Sequence, residues 1–174
     1  MGTLAAKWLF KSDPDTYSFA NLERDGQTVW DGVSNNLALK HLRSVRRGDQ
    51  ALIYHTGDEK AVVGVMEAAA DPVPDPDDET GKRVVVTVRP VRALKHRVPL
   101  AAIKAEKAFA GWELVRVPRL SVMPVSEALW KKIEAMSEKG LAATQRGATV
   151  EKVNPREIRP GVRWRGGRRN GPPV

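Results

Sequence analysis

The run Trp30-Asp31-Gly32-Val33-Ser34-Asn35-Asn36 sets a large aromatic, a carboxylate, a glycine and two amides within seven residues, just ahead of a helical pattern. A helix entry needs one capping side chain, whose oxygen accepts from an otherwise unpaired first-turn amide, so one of the two asparagines suffices. Asn36 is nearer the expected cap, which leaves Asn35 as the ligand-facing amide; the opposite assignment stays open. A flat ring beside amide donors and acceptors can stack on a planar ligand and read its edge, as proteins do with unstacked nucleobases. The structural alternative is a core tryptophan whose indole N–H meets a carbonyl.

Two other segments concentrate polar chemistry. Lys11-Ser12-Asp13-Pro14 places a cation, a hydroxyl and a carboxylate at the end of a strand pattern, three hydrogen-bonding types suited to a polar ligand edge. Asp-Pro is also a common turn pair. Tyr54-His55-Thr56 closes a second strand, where alternation puts Tyr54 and Thr56 on one face and His55 on the other. His55 is suited to act as an acid, a base or an uncharged hydrogen-bond partner, and equally to sit at a sheet rim bonded to a carbonyl. An enzyme would need a second group to orient it, and no spacing supplies one. The nucleophile-elbow, phosphate-loop and dinucleotide motifs are absent. With no cysteine, disulfides, thiolate zinc sites and a Cys nucleophile are excluded, and only His41, His55 and His96 remain as imidazoles. No catalytic residue, metal or cofactor is expected.

These segments are carried by recognisable elements. Lys7 to Lys11 is a short strand, and Ser18 caps a helical turn over 18–23. Leu37, Ala38, Leu42 and Val45 recur at helical spacing between Asn36 and Arg47, with Gly48-Asp49 as the stop. Strand patterns follow at Ala51–His55, Ala61–Glu67 and Arg83–Val91, rich in β-branched residues and separated by turn formers. The acidic, proline-containing stretch 71–79 is a surface loop. Pro99 to Phe109 reads as a helix with Pro99 in its first turn. A strand ending at Pro124 precedes a helix over Ser126–Met136 that Ser126 caps, with Val125 and Trp130 as a staple. Ser121 and Met123 are minor pocket candidates, and Trp8, Trp112 and Trp130 are assigned to the core. The expected fold is α+β: a mainly antiparallel sheet of about five to seven strands, strongly curved or closed into a barrel, with flanking helices.

The 174 residues suffice for one well-buried core. Their net charge of +8 is unevenly spread. Residues 138–174 hold nine Lys or Arg and three Glu, a net of +6, leaving +2 for the rest. Arg163, Arg165, Arg168 and Arg169 lie among glycines around Trp164. Such a segment buries too little apolar area to offset its ordering entropy, so it reads as a disordered basic tail able to bind phosphates without sequence preference, or simply to aid solubility. The sequence has neither an apolar run long enough for a membrane helix nor the opening of a secretory signal, and a cytoplasmic protein is expected.

Taken in order, Trp8 with Lys11-Ser12-Asp13-Pro14, Trp30-Asp31-Gly32-Val33-Ser34-Asn35, Gly48-Asp49 with Tyr54-His55-Thr56, Val63-Gly64-Val65, and Leu120-Ser121-Val122-Met123-Pro124-Val125 resemble the EVE domain family over residues 7 to 137. The resemblance implies a PUA-like fold and a cleft that receives a flipped, modified base. It brings no catalytic activity. Carried over by position, the cleft draws on Lys11, Ser12 and Asp13, on Trp30 and Asn35, and on Tyr54, His55 and Thr56. The sequence departs from the family pattern at Asp13 (usually Glu), Ser34 (usually Arg), Thr56 (usually Ser) and Met123 (often Gln). The change at 34 removes a side chain able to contact phosphate.

The chain is thus divided into a domain at 1–137 and a tail at 138–174. The leading expectation is a non-enzymatic, monomeric module that binds DNA or RNA carrying a modified base. The alternative is a small-molecule or nucleotide-processing enzyme using His55 as acid or base near Asp13 or Asp31. A third reading gives all binding to the arginines of the tail.

Overall fold

The first strand, β1 (Lys7–Ser12), has Trp8, Leu9 and Phe10 all buried, the signature of a strand covered on both faces. It lies inside the sheet because β3 (Gln50–His55) pairs with it in parallel on one side and β7 (Val122–Pro124) antiparallel on the other. β4 (Ala61–Ala68) and the long β6 (Val84–Pro99) continue the sheet, which ends on β2 (Thr28–Trp30). The strand order is β2-β6-β4-β3-β1-β7, with the two-residue β5 (Val73–Pro74) also on β6, and every pairing except β1–β3 is antiparallel. This computed structural model describes residues 5–140. The proposed phosphate contacts of the tail, Arg163, Arg165, Arg168 and Arg169, fall outside them.

The sheet is a curled half-barrel whose two end strands are not paired with each other. Register shifts at Ile53/Tyr54 between β3 and β4, and at Val62/Gly64 and Val65/Met66 between β4 and β6, mark the bulges that bend it. At Gly64 the missing side chain has a direct use. A Cβ there would come within 2.7 Å of the Phe19 ring, so glycine lets α1 (Phe19–Asp25) settle against the sheet. The helix begins as expected: Ser18 accepts the Asn21 N–H and the Asn21 side chain accepts the Ser18 N–H, a reciprocal capping box. The expected Ser126 cap is also present, its Oγ accepting the Leu129 N–H at the start of α5 (Glu127–Lys139).

Several elements depart from expectation for physical reasons. The second helix, α2 (Asn36–Ser44), stops before Arg47, because Val45 turns extended and is buried while the Asp49 carboxylate takes the Arg46 N–H. Pro99 is the last residue of β6 and the N-cap of α3 (Leu100–Ala105) rather than part of its first turn. The helical stretch then breaks at Glu106 into a 3₁₀ turn, Lys107–Phe109. β6 runs through Arg92–Arg97, where Arg92 meets Glu134 and Arg97 meets Glu59 in ion pairs. A short α4 (Glu113–Arg116), β2, and the pairing of β5 within the acidic loop carry no clear sequence pattern. Among the described residues no helix is long and apolar enough to cross a membrane.

Candidate functional site

Parallel strands finish at the same edge of a sheet, so the in-register pairing of β1 with β3 sets Lys11 beside Tyr54 and Ser12 beside His55. The two polar motifs, some forty residues apart in sequence, become neighbours for that reason. The Thr56 N–H donates to the Ser12 carbonyl at 3.0 Å, and the Lys11 N–H to the Ser121 carbonyl at 2.9 Å. Strand alternation then holds as expected: Tyr54 and Thr56 line one cavity, while His55 points to the other side of the sheet.

Lys11 divides two adjoining cavities. The first, of about 440 Å³, lies between Lys11-Ser12-Asp13 and the segment Thr28–Asp31, with Thr16 and Tyr17 closing one side. The second, of about 280 Å³, has Tyr54, Thr56 and Gly57 along the β3 end, Lys60 beyond them, and Leu100 and Lys104 from α3, facing Leu114, Val115 and Pro118. The Lys11 ammonium donates to the Pro118 carbonyl at 2.6 Å and sits 5.6 Å from the centre of the Tyr54 ring. Burial pushes the lysine below its usual pKa of 10.5 and the Tyr54 hydroxyl above its usual 10.0.

Trp30 is only 9% exposed, so it is a core residue that also borders the first cavity. Its ring meets Phe10, and next to it in sequence the half-exposed Val29 forms an apolar rim. Ser12 Oγ donates to the Tyr17 carbonyl, tying the motif to the segment that closes the cavity. Asp13 does what an Asp-Pro turn does: its carbonyl accepts from Thr16 and Tyr17, and its Oδ1 accepts the Asp15 N–H.

Two candidates occupy other positions. Asn35, not Asn36, is the N-cap of α2; its backbone is extended at φ −65° and its Oδ1 accepts the Leu37 and Ala38 amides at 2.9 and 3.0 Å. The oxygen expected to read a ligand is thus committed to the helix, and Asn35 borders neither cavity. His55 is 6% exposed, with Nε2 accepting the Phe19 N–H at 3.0 Å and Nδ1 2.6 Å from Glu59 Oε1. A nitrogen that accepts an amide carries no proton, so Nδ1 holds it and donates to Glu59, whose other oxygen pairs with Arg97. The ring fastens α1 to the sheet. With both nitrogens engaged, the acid–base reading finds no free one.

Tyr17 and Thr28 in the first cavity, and Lys60 and Lys104 in the second, were not singled out by sequence. Each enters through tertiary placement, although Lys60 does follow the Gly57-Asp58 turn signal. Among the described residues no three His, Cys, Asp or Glu side chains gather as metal ligands.

A family model, that of the EVE domain, matches residues 6–136. Thymocyte nuclear protein 1 of Homo sapiens is 28% identical over 170 aligned residues, covering 78% of this chain and 76% of its own. An NMR structure of Rpa0253 from Rhodopseudomonas palustris superposes with a TM-score of 0.74 at 39% identity, over 78% of this chain and 94% of its own. The crystal structure of human THYN1 protein in complex with DNA containing 5-methylcytosine superposes with a TM-score of 0.71 at 28% identity, over 78% of this chain and 99% of its own. The half-barrel with flanking helices is common to these structures.

Proposed function

Since the chain belongs to the EVE domain family, we propose that it binds nucleic acid carrying a modified base, without acting on it chemically. The observation that carries the reading is the cavity of about 440 Å³ that Trp30 lines together with Lys11-Ser12-Asp13, an aromatic side chain in a polar setting. The relative of the same fold bound to DNA containing 5-methylcytosine supports it and makes that base in DNA the first ligand to test. In this reading the base leaves its stack and enters the cavity against Trp30, where stacking contributes about 1–3 kcal/mol. Lys11, Ser12 and Asp13 meet its polar edge, and a ligand that left one of them buried and unpaired would lose about 1–3 kcal/mol. Asn35 acts by fixing the helix entry behind Trp30, His55 by anchoring α1, and Tyr54 with Thr56 extends the site past Lys11.

The same proposal takes residues 1–137 as the binding domain, active as a monomer in the cytoplasm, and 138–174 as a basic tail whose Arg163, Arg165, Arg168 and Arg169 add base-independent phosphate contacts. Titration of matched modified and unmodified oligonucleotides, DNA and RNA, into the full chain and its Trp30→Ala and Ser12→Ala variants tests it. Preference for a modified ligand, reduced in both variants, supports the reading. Indifference of all three proteins to modification rejects it.

A further inference from the structure

Of the two cavities that share Lys11, the smaller has an electrostatic character that base stacking does not explain. Three lysines border it, Lys11, Lys60 and Lys104, and no Asp or Glu does. None of the three has a carboxylate within salt-bridge distance among the described residues, whereas Lys95 pairs with Glu138 and Lys132 with Glu106. Like charges gathered around one recess repel one another, and a bound anion removes that cost.

The backbone fixes the position of Lys60. Lys60 has φ +43°, the one described residue other than glycine in the left-handed region, a conformation that costs a lysine free energy. Its carbonyl accepts the Leu100 N–H at 2.7 Å, which joins the β3–β4 turn to the start of α3. Four residues on, Lys104 shares a helix face with Leu100, and both line the recess. Lys11 spends one ammonium proton on the Pro118 carbonyl and keeps two donors. Leu114, Val115 and Pro118 add apolar surface to the lining, of the kind a sugar ring packs on.

We propose that this recess binds the phosphate next to the recognised base, with Lys60 and Lys104 as its outer clamp and Lys11 linking it to the base cavity. The proposal rests on the nucleic-acid reading and gives the folded domain, rather than its tail, a defined phosphate contact. Thr56 lines the recess beside the lysines, its hydroxyl donating to the Ser12 carbonyl at 3.5 Å.

The test uses the full chain and the double variant Lys60→Ala/Lys104→Ala, two exposed positions outside the base cavity. Oligonucleotide affinity is measured over a range of NaCl concentrations, with and without the modification. The double variant is expected to flatten the slope of log K against log salt by about 0.7 to 0.9, the share of one phosphate contact, with the modified-to-unmodified ratio unchanged. A second arm follows the Thr56, Gly57 and Lys60 amides by NMR while inorganic phosphate or an unmodified oligothymidylate is added. Saturating shifts with the oligonucleotide, absent from the double variant, support the site, and equal response to inorganic phosphate alone would assign it to free phosphate instead. If the ratio survives while slope and amides do not respond, the phosphate site is wrong and base recognition stands. If neither protein discriminates bases yet the amides saturate and the variant loses them, base recognition is wrong and the phosphate site stands.

Discussion

The indole of Trp30 meets the Phe10 ring edge to face, with centroids 5.5 Å apart and planes at 70°. Trp30 is on β2 and Phe10 on β1, four places apart in the strand order, so the contact spans the hollow of the curled sheet. Trp30 and the Lys11-Ser12-Asp13 segment that follows Phe10 line the same cavity. One residue therefore serves core and cavity together.

Substitution should separate those roles. Trp30→Ala removes a buried aromatic and is expected to lower stability by about 3–5 kcal/mol. Trp30→Phe keeps a ring against Phe10 and should lose about 1–2 kcal/mol, yet still weaken binding of modified oligonucleotide. Urea denaturation beside titration under folded conditions checks both.

Asp49 is expected to be among the costliest positions in the chain. Its buried carboxylate accepts the Ala6 N–H at 3.0 Å, the Trp8 indole N–H at 3.0 Å and the Arg46 N–H at 2.9 Å. Asp49→Ala leaves all three donors without a partner, at about 1–3 kcal/mol each when buried, and should reduce unfolding free energy by about 3–5 kcal/mol. Asp49→Asn retains one acceptor oxygen and should lose less. A midpoint in denaturant that hardly moves for Asp49→Ala would contradict the account.

The contrast between Asp49 and Ser18 shows what was legible in the sequence. Ser18 and Ser126 cap the helices that follow them, contacts within a few residues, and the β-branched runs of β3 and β4 announce themselves by composition. Asp49 finds Ala6 and Trp8 43 and 41 residues away, and β2 is a strand only because β6 accepts it. The asparagine pair shows the limit of local reading, since choosing the cap needs backbone angles at single-residue precision. For the site, the polar segments were visible, but their division into two cavities follows from the parallel register of β1 with β3, which no local pattern encodes. Lys60 and Lys104 stayed hidden for the same reason.

Gly64→Ala should destabilise by about 1–3 kcal/mol, because the new methyl would lie 2.7 Å from a buried phenyl ring. Phe19→Leu in the same chain removes part of that conflict. The double variant is thus expected to be more stable than the sum of the single losses, a coupling that a double-mutant cycle reads directly.

His55→Phe should cost about 1–3 kcal/mol by leaving the Phe19 N–H without an acceptor, with Glu59 keeping only Arg97, while the preference among oligonucleotides persists. Loss of that preference with stability intact would place His55 at the ligand instead.

Stability should also fall on mild acidification. Burial holds His41 below its usual pKa of 6.5; Glu113 opposes the shift and Lys40 adds to it. The unfolded chain therefore binds the proton first, so the stabilisation present above pH 6.5 is lost as pH drops through the lower folded value. Wild type and His41→Gln compared by urea midpoint at neutral and acid pH should show the smaller decline in the variant.

The central claim is a base-reading cavity at Trp30, and its most direct measurement is the affinity of the full chain for two DNA oligonucleotides that differ only in one 5-methylcytosine. Preference for the methylated strand by about tenfold, equivalent to about 1.4 kcal/mol, and its loss in Trp30→Phe and Ser12→Ala, is the predicted result. Equal affinity of wild type for both strands, or a preference that survives both substitutions, would contradict it.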